Sequence, residues 1–124
     1  MRLTEILEHI NHFIEETGEL SHDEPERLAV FINNNYTVKD YLHLVDEIHQ
    51  WASEEEDALM GTYDSEGDFV ERYYSDTTDA DTMKVIDGLV VDWQKTWDYA
   101  FQYDFWSERP IGQTYGDIWV WRNV

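Results

Sequence analysis

Cysteine is absent from the 124 residues. That excludes disulfides, thiolate metal centres and a cysteine nucleophile, and it suits a reducing compartment such as the cytoplasm. Basic residues are scarce. The eight Lys and Arg are too scattered to line a groove for nucleic acid, and the surrounding negative field repels phosphate, so no direct nucleic-acid binding is expected. No apolar run approaches the roughly 18 residues of a membrane span, and no basic segment leads into an apolar one, so neither a membrane helix nor a signal peptide is expected. A glycine-rich phosphate loop, a Walker sequence and a serine in a nucleophile-elbow setting are missing too. With no catalytic constellation and no cofactor motif, the chain reads as a binding protein rather than an enzyme.

What is abundant is negative charge. Twenty-eight Asp and Glu leave a formal net charge of −20. Self-repulsion on that scale destabilises a compact state, so it calls for a reason. A chain of this length folds to a diameter of roughly 35 Å. Duplex DNA carries about 20 charges over the same length, one per ~1.7 Å. The match permits DNA mimicry; the competing reading is a soluble, salt-adapted adaptor whose charge serves only solvation. The 42% apolar and 15% aromatic fractions are enough for a core, so this is no disordered acidic tail.

Helical spacing is clear at the start, where Leu3, Ile6, Leu7, Ile10, Phe13 and Ile14 recur while Glu5, Glu8, Glu15 and Glu16 fall elsewhere on the wheel. Thr4 and Gly18 are the expected caps. Ser21 and Glu24 have capping-box spacing before a second helix that Pro25 begins and Asn33–Asn35 ends. Thr37 and Asp40 precede a third, striped by Val38, Tyr41, Leu42, Val45, Ile48 and Ala52. Residues 75–82 read as a polar acidic connection. Beyond them Ile86, Leu89, Val90, Trp93, Trp97 and Phe101 keep a helical rhythm, either unbroken or interrupted at Gly88 with Asp92 capping a separate last helix. "QYDFW" and "DIWVWRN", joined through Pro110, Gly112 and Gly116, predict a terminal hairpin or small sheet. The expected fold is α+β and mainly α. A helical N-terminal part spans residues 1–53 and an α+β part spans 54–124, together one compact unit, with Trp119 or Trp121 packing on Trp93 or Trp97.

"GTYDSEGDF", Gly61 to Phe69, imitates a calcium loop through Asp64, Glu66 and Asp68. An EF-hand requires glycine where Phe69 stands and glutamate where Ser75 stands, so the loop is rejected. Ser65 and Asp68 instead form a capping pair for a fourth helix striped by Phe69, Val70, Tyr73 and Tyr74. Of five histidines only His9 and His12 share a helix at three-residue spacing, and nothing completes a metal site around them, so no metal is expected. Carboxylate pairs are too common here to single out an acid–base couple. The helical and alternating spacing of the Trp and Tyr residues favours core packing over base stacking.

Gly61, Tyr63, Asp64, Ser65, Asp68 and Phe69 of "GTYDSEGDFVERYY" follow a glycine, aromatic, Asp-Ser, acidic, Phe pattern. "VVDWQKTW" adds an Asp-aromatic helix start at Asp92 and Trp93, and "GDIWVWRN" an aromatic closing strand through Trp119, Val120, Trp121 and Arg122. In this order the motifs resemble those of the ArdA-type antirestriction proteins, over about residues 31–124, as a shortened or divergent member. The family's N-terminal β-containing domain has no counterpart. The resemblance implies an acidic, dimeric DNA mimic, carried by phage or mobile elements. It would act in the host cytoplasm on the DNA-binding groove of type I restriction-modification enzymes. A CRISPR nuclease or a host DNA-organising protein is the alternative target. The carboxylates expected to contact the partner are Asp64, Glu66, Asp68, Glu71, Asp76, Asp79 and Asp81, followed by Asp92, Asp98 and Asp104.

Overall fold

A computed structural model describes residues 1–113 and 115–123. Among them the fold is α+β and mainly helical, with six α-helices and one three-stranded antiparallel sheet. The chain divides into two compact units, Met1–Ala58 and Leu59–Val124.

The first unit is a three-helix assembly of α1 (Leu3–Thr17), α2 (Pro25–Asn35) and α3 (Tyr41–Ala58). Apolar residues at three- and four-residue intervals put Ile6, Ile10 and Phe13 on one face of α1, where they are buried with Leu28, Ala29 and Ile32 of α2 and Leu44, Ile48 and Trp51 of α3. Gly18 ends α1 in the left-handed conformation, φ 61°, its N–H returning to Ile14 O as expected of a C-cap glycine. The start differs from expectation. Thr4 lies inside the helix and Arg2 occupies the N-cap without a side-chain bond. Ser21 does not cap α2 either: Glu24 holds that position, and its N–H donates to His22 Nδ1 at 3.0 Å. At α3, Asp40 Oδ1 accepts the His43 N–H at 2.8 Å while His43 Nδ1 accepts the Lys39 N–H at 3.2 Å, a reciprocal cap that leaves Thr37 aside. Leu42 points to solvent at 72% exposure, and Leu44 and Trp51 take the inward places instead.

One charged side chain is fully buried in this unit. Glu55 on α3 accepts from Arg27 Nε at 3.0 Å through Oε2 and from Arg27 Nη2 at 3.1 Å through Oε1. His22 Nε2 donates to Oε1 at 2.8 Å. Because His22 Nδ1 already accepts from Glu24, the ring carries its single proton on Nε2. The His22–Glu55 contact is therefore a charge-assisted hydrogen bond, and the ion pair belongs to Arg27 and Glu55. Nearby, Tyr36 stacks on Trp51 with centroids 4.7 Å apart and donates its hydroxyl to the Glu54 carboxylate. Burial first, then the Glu54 hydrogen bond and the Glu54 and Glu47 charges, push the phenol from 10.0 up to about 12. A folded-state value above the unfolded one gives stability that is complete below pH 10 and lost as pH rises toward about 12. Urea midpoints should fall across that window and fall less steeply in Tyr36→Phe; equal slopes would contradict the assignment.

The second unit joins β1 (Leu59–Tyr63), α4 (Glu66–Thr77), α5 (Ala80–Asp87), α6 (Trp93–Tyr99), β2 (Phe105–Glu108) and β3 (Ile118–Arg122). Strand order is β1-β3-β2, so the last strand lies in the middle. β1 is a strand that the sequence pattern does not announce. It meets β3 in the register Gly61↔Val120, Thr62↔Trp119 and Tyr63↔Ile118, with an irregularity between Leu59 and Gly61. Gly61, at φ 141°, supplies the backbone freedom that such a bulge needs.

Alternation along β3 sends Ile118 and Val120 toward α4 and α6, into a core with Phe69, Val70, Trp97 and Phe105. Trp119 and Trp121 are buried on the opposite face, and Trp121 stacks on Trp106 of β2 at 4.1 Å. The expected packing of Trp119 or Trp121 on Trp93 or Trp97 is thus replaced by Ile118 and Val120 packing beside Trp97. α6 approaches α4 closely at Gly67, where an added Cβ would lie 3.2 Å from the Gln94 nitrogen. Gly88 ends α5 and Asp92 caps α6, its Oδ1 accepting the Lys95 N–H at 3.1 Å, so the interrupted form of this segment is the one adopted.

Candidate functional site

Ser65 fixes where the candidate surface begins. Its Oγ accepts the Asp68 N–H at 3.1 Å, which starts α4 directly after β1 and turns Phe69 into the core. Ser65→Ala should cost about 1 kcal/mol in urea denaturation. Calcium should not alter that cost; a calcium-dependent rise in Tm would contradict a purely capping role.

With the start of α4 set, Asp68, Glu71, Arg72 and Ser75 fall on one side of it. Together with Thr62, Tyr63 and Asp64 they line an open cleft of about 360 Å³. Asp64, Asp68 and Glu71 are all exposed. Arg72 sits among them, a cation absent from the sequence expectation although it follows Glu71 and lies four residues from Asp68. The Tyr63 phenol at the cleft edge is raised chiefly by burial, with Arg72 lowering it and Asp76 raising it, so Asp76 also acts on this region.

The other expected carboxylates are dispersed among local tasks. Glu66 is half-buried and turned away, accepting from Ser107 Oγ of β2 at 3.1 Å. The 75–82 stretch is not an irregular connection: α4 runs on to Thr77, and Asp79 caps α5. Both Asp79 oxygens are engaged, by the Thr82 N–H at 2.9 Å and the Thr82 hydroxyl at 2.8 Å, and these bonds hold its carboxyl below the usual range. Asp81 is exposed in the first turn of α5. Asp92 caps α6, and Asp98 accepts weakly from Gln94 at 3.3 Å. Asp104 follows the short 3-10 turn Phe101–Tyr103, its backbone oxygen accepting from the Asn123 N–H at 2.8 Å. Nine of the ten carboxylates are exposed, Glu66 being the exception. Only Asp64, Asp68 and Glu71 share the cleft.

The first unit is a larger source of surface charge than the motifs of the second suggest. It holds fifteen acidic residues against three basic, a net of −12, whereas the second holds thirteen against five, a net of −8. On α1, Glu5, Glu8, Glu15 and Glu16 are exposed. At 100° per residue they fall on one side, opposite Ile6, Ile10 and Phe13. This acidic stripe runs about 16 Å at 1.5 Å per residue. The apolar spacing that marks α1 as a helix contains the signal for it.

Among the described residues no group of three or more His, Asp or Glu side chains is arranged to hold a metal ion. No described helix is long and apolar enough to cross a membrane. Comparison with known proteins finds no match: no family model fits the chain, and no curated protein or solved structure is significantly similar to it.

Proposed function

We propose that the chain is a DNA-mimicking inhibitor that occupies the DNA-binding groove of a host defence enzyme, a type I restriction-modification enzyme in the first instance. The observation that carries this reading is the surface: a net charge of −20 with nine of the ten expected carboxylates open to solvent. Carboxylates held on helices at fixed intervals can meet Lys and Arg side chains built to receive phosphates, and the long-range field speeds the encounter. The target undergoes no chemistry. It is blocked because the inhibitor and DNA need the same cations.

Two groups of side chains are suited to that contact, the α4 cleft edge and the α1 stripe. Neutralising Asp64, Asp68 and Glu71 to Asn, Asn and Gln leaves the core untouched and should keep thermal stability near that of the parent. If the cleft edge is in the interface, a cost of about 0.5 kcal/mol or more per exposed pair weakens binding to the purified enzyme roughly ten-fold. Glu5, Glu8, Glu15 and Glu16 changed together to Gln test the second group. Undiminished inhibition by both sets of variants would contradict the proposal.

A further inference from the structure

We propose that the hollow between α5 and the start of α6 docks an amphipathic helix of a partner protein, one whose apolar side chains are flanked by Lys or Arg. This surface stands whether or not the carboxylates imitate DNA. Although α5 has apolar residues, it buries none of them. Val85 and Leu89 are 67% and 63% exposed and Val90 is fully exposed. Beside them lies an apolar hollow of about 260 Å³ lined by Tyr74, Ile86, Val91, Trp93 and Thr96. Exposed aliphatic side chains next to an open aromatic-floored hollow offer the anchoring geometry that a helix uses when it inserts side chains at three- and four-residue spacing.

Charge selects the occupant. Asp79, Asp81, Asp87 and Asp92 are exposed on α5 and its flanks, against Lys84 and Lys95. The whole chain adds a field of net −20. A second copy would bring the same charge against itself, whereas a basic amphipathic helix gains both apolar burial and charge pairing.

The test is amide chemical-shift mapping of the full chain with a synthetic helix carrying Leu at i, i+3, i+4 and i+7 and Lys elsewhere. Two controls accompany it: the same peptide with Glu for every Lys, and a Lys peptide without Leu. Perturbations should centre on residues 83–96. Affinity should fall about ten-fold in a Leu89→Ser/Val90→Ser variant, as when an anchoring side chain is truncated. The Leu/Glu peptide should not bind, and the Lys peptide should bind diffusely and ignore the substitutions. The proposal is overturned if the Leu/Lys peptide shifts the acidic surface at large without concentrating at the hollow, or if the Leu/Glu peptide binds equally well. It is also overturned if sedimentation shows the chain self-associating through the residues that the double variant removes. None of these readouts involves DNA competition, so failure here and failure of the mimic reading are separately visible.

Discussion

Replacing Phe69 with alanine should remove about 3–5 kcal/mol of stability, enough to leave little folded protein if the parent is an ordinary small domain. Phe69 is 1% exposed. Its ring meets Tyr63 at 5.1 Å, Phe105 at 5.0 Å, Trp97 at 6.0 Å, and Phe101 and Tyr73 at 6.1 Å. Those partners come from β1, α4, α6, the 3-10 turn and β2, so one side chain ties most of the second unit together. Several of the ring pairs are edge-to-face, the arrangement that the ring quadrupole favours. Alanine would leave a void that rigid rings cannot close, whereas leucine would recover much of the apolar packing and cost less. Chemical denaturation followed by circular dichroism measures both. A cost below about 1 kcal/mol for Phe69→Ala would show that this cluster is not the centre of the unit.

Glu55→Ala should be comparably damaging, at about 3–5 kcal/mol, for a different reason. The glutamate side chain brings little apolar surface to the core. What matters is that Arg27, only 15% exposed at its side chain, and His22, fully buried there, would both be deprived of the acceptor they share. A buried donor without a partner costs its full desolvation. Strong non-additivity is therefore expected within this cluster. Changing His22, Arg27 and Glu55 together to apolar residues of similar volume should be far milder than changing Glu55 alone. If the single and triple variants are equally unstable, the cluster contributes packing rather than charge compensation.

The contrast between Phe69 and Glu55 also shows where sequence reasoning succeeds. Phe69 is legible because its role follows from local rules: a serine cap at Ser65 sets the start of α4 and helical spacing then turns Phe69 inward. Asp64, Asp68 and Glu71 are close neighbours in sequence, and their shared cleft follows from that same helix. The arrangements that escape depend on distant partners. Glu55 bonds to residues 28 and 33 positions away, and Glu66 to one 41 positions away. Neither pairing leaves a local trace. β1 is only five residues, "LMGTY", and becomes a strand by pairing with β3, which is distant in sequence. For β3, period-2 alternation groups Trp119 with Trp121 but does not say which face of the sheet looks toward the helices. His22 displaces Ser21 at the start of α2 because a ring nitrogen accepts the Glu24 N–H, a role that cap preferences assign to shorter side chains.

Whether the acidic surface occupies a groove made for DNA is decided by competition. A purified type I restriction enzyme is loaded with fluorescent duplex DNA and titrated with the chain over a series of salt concentrations. Full displacement of the duplex at one site is expected, with no binding of free DNA by the chain and an inhibition constant that rises steeply with salt as the charge pairs are screened. Inhibition that leaves the duplex bound, or that is indifferent to salt, would contradict it.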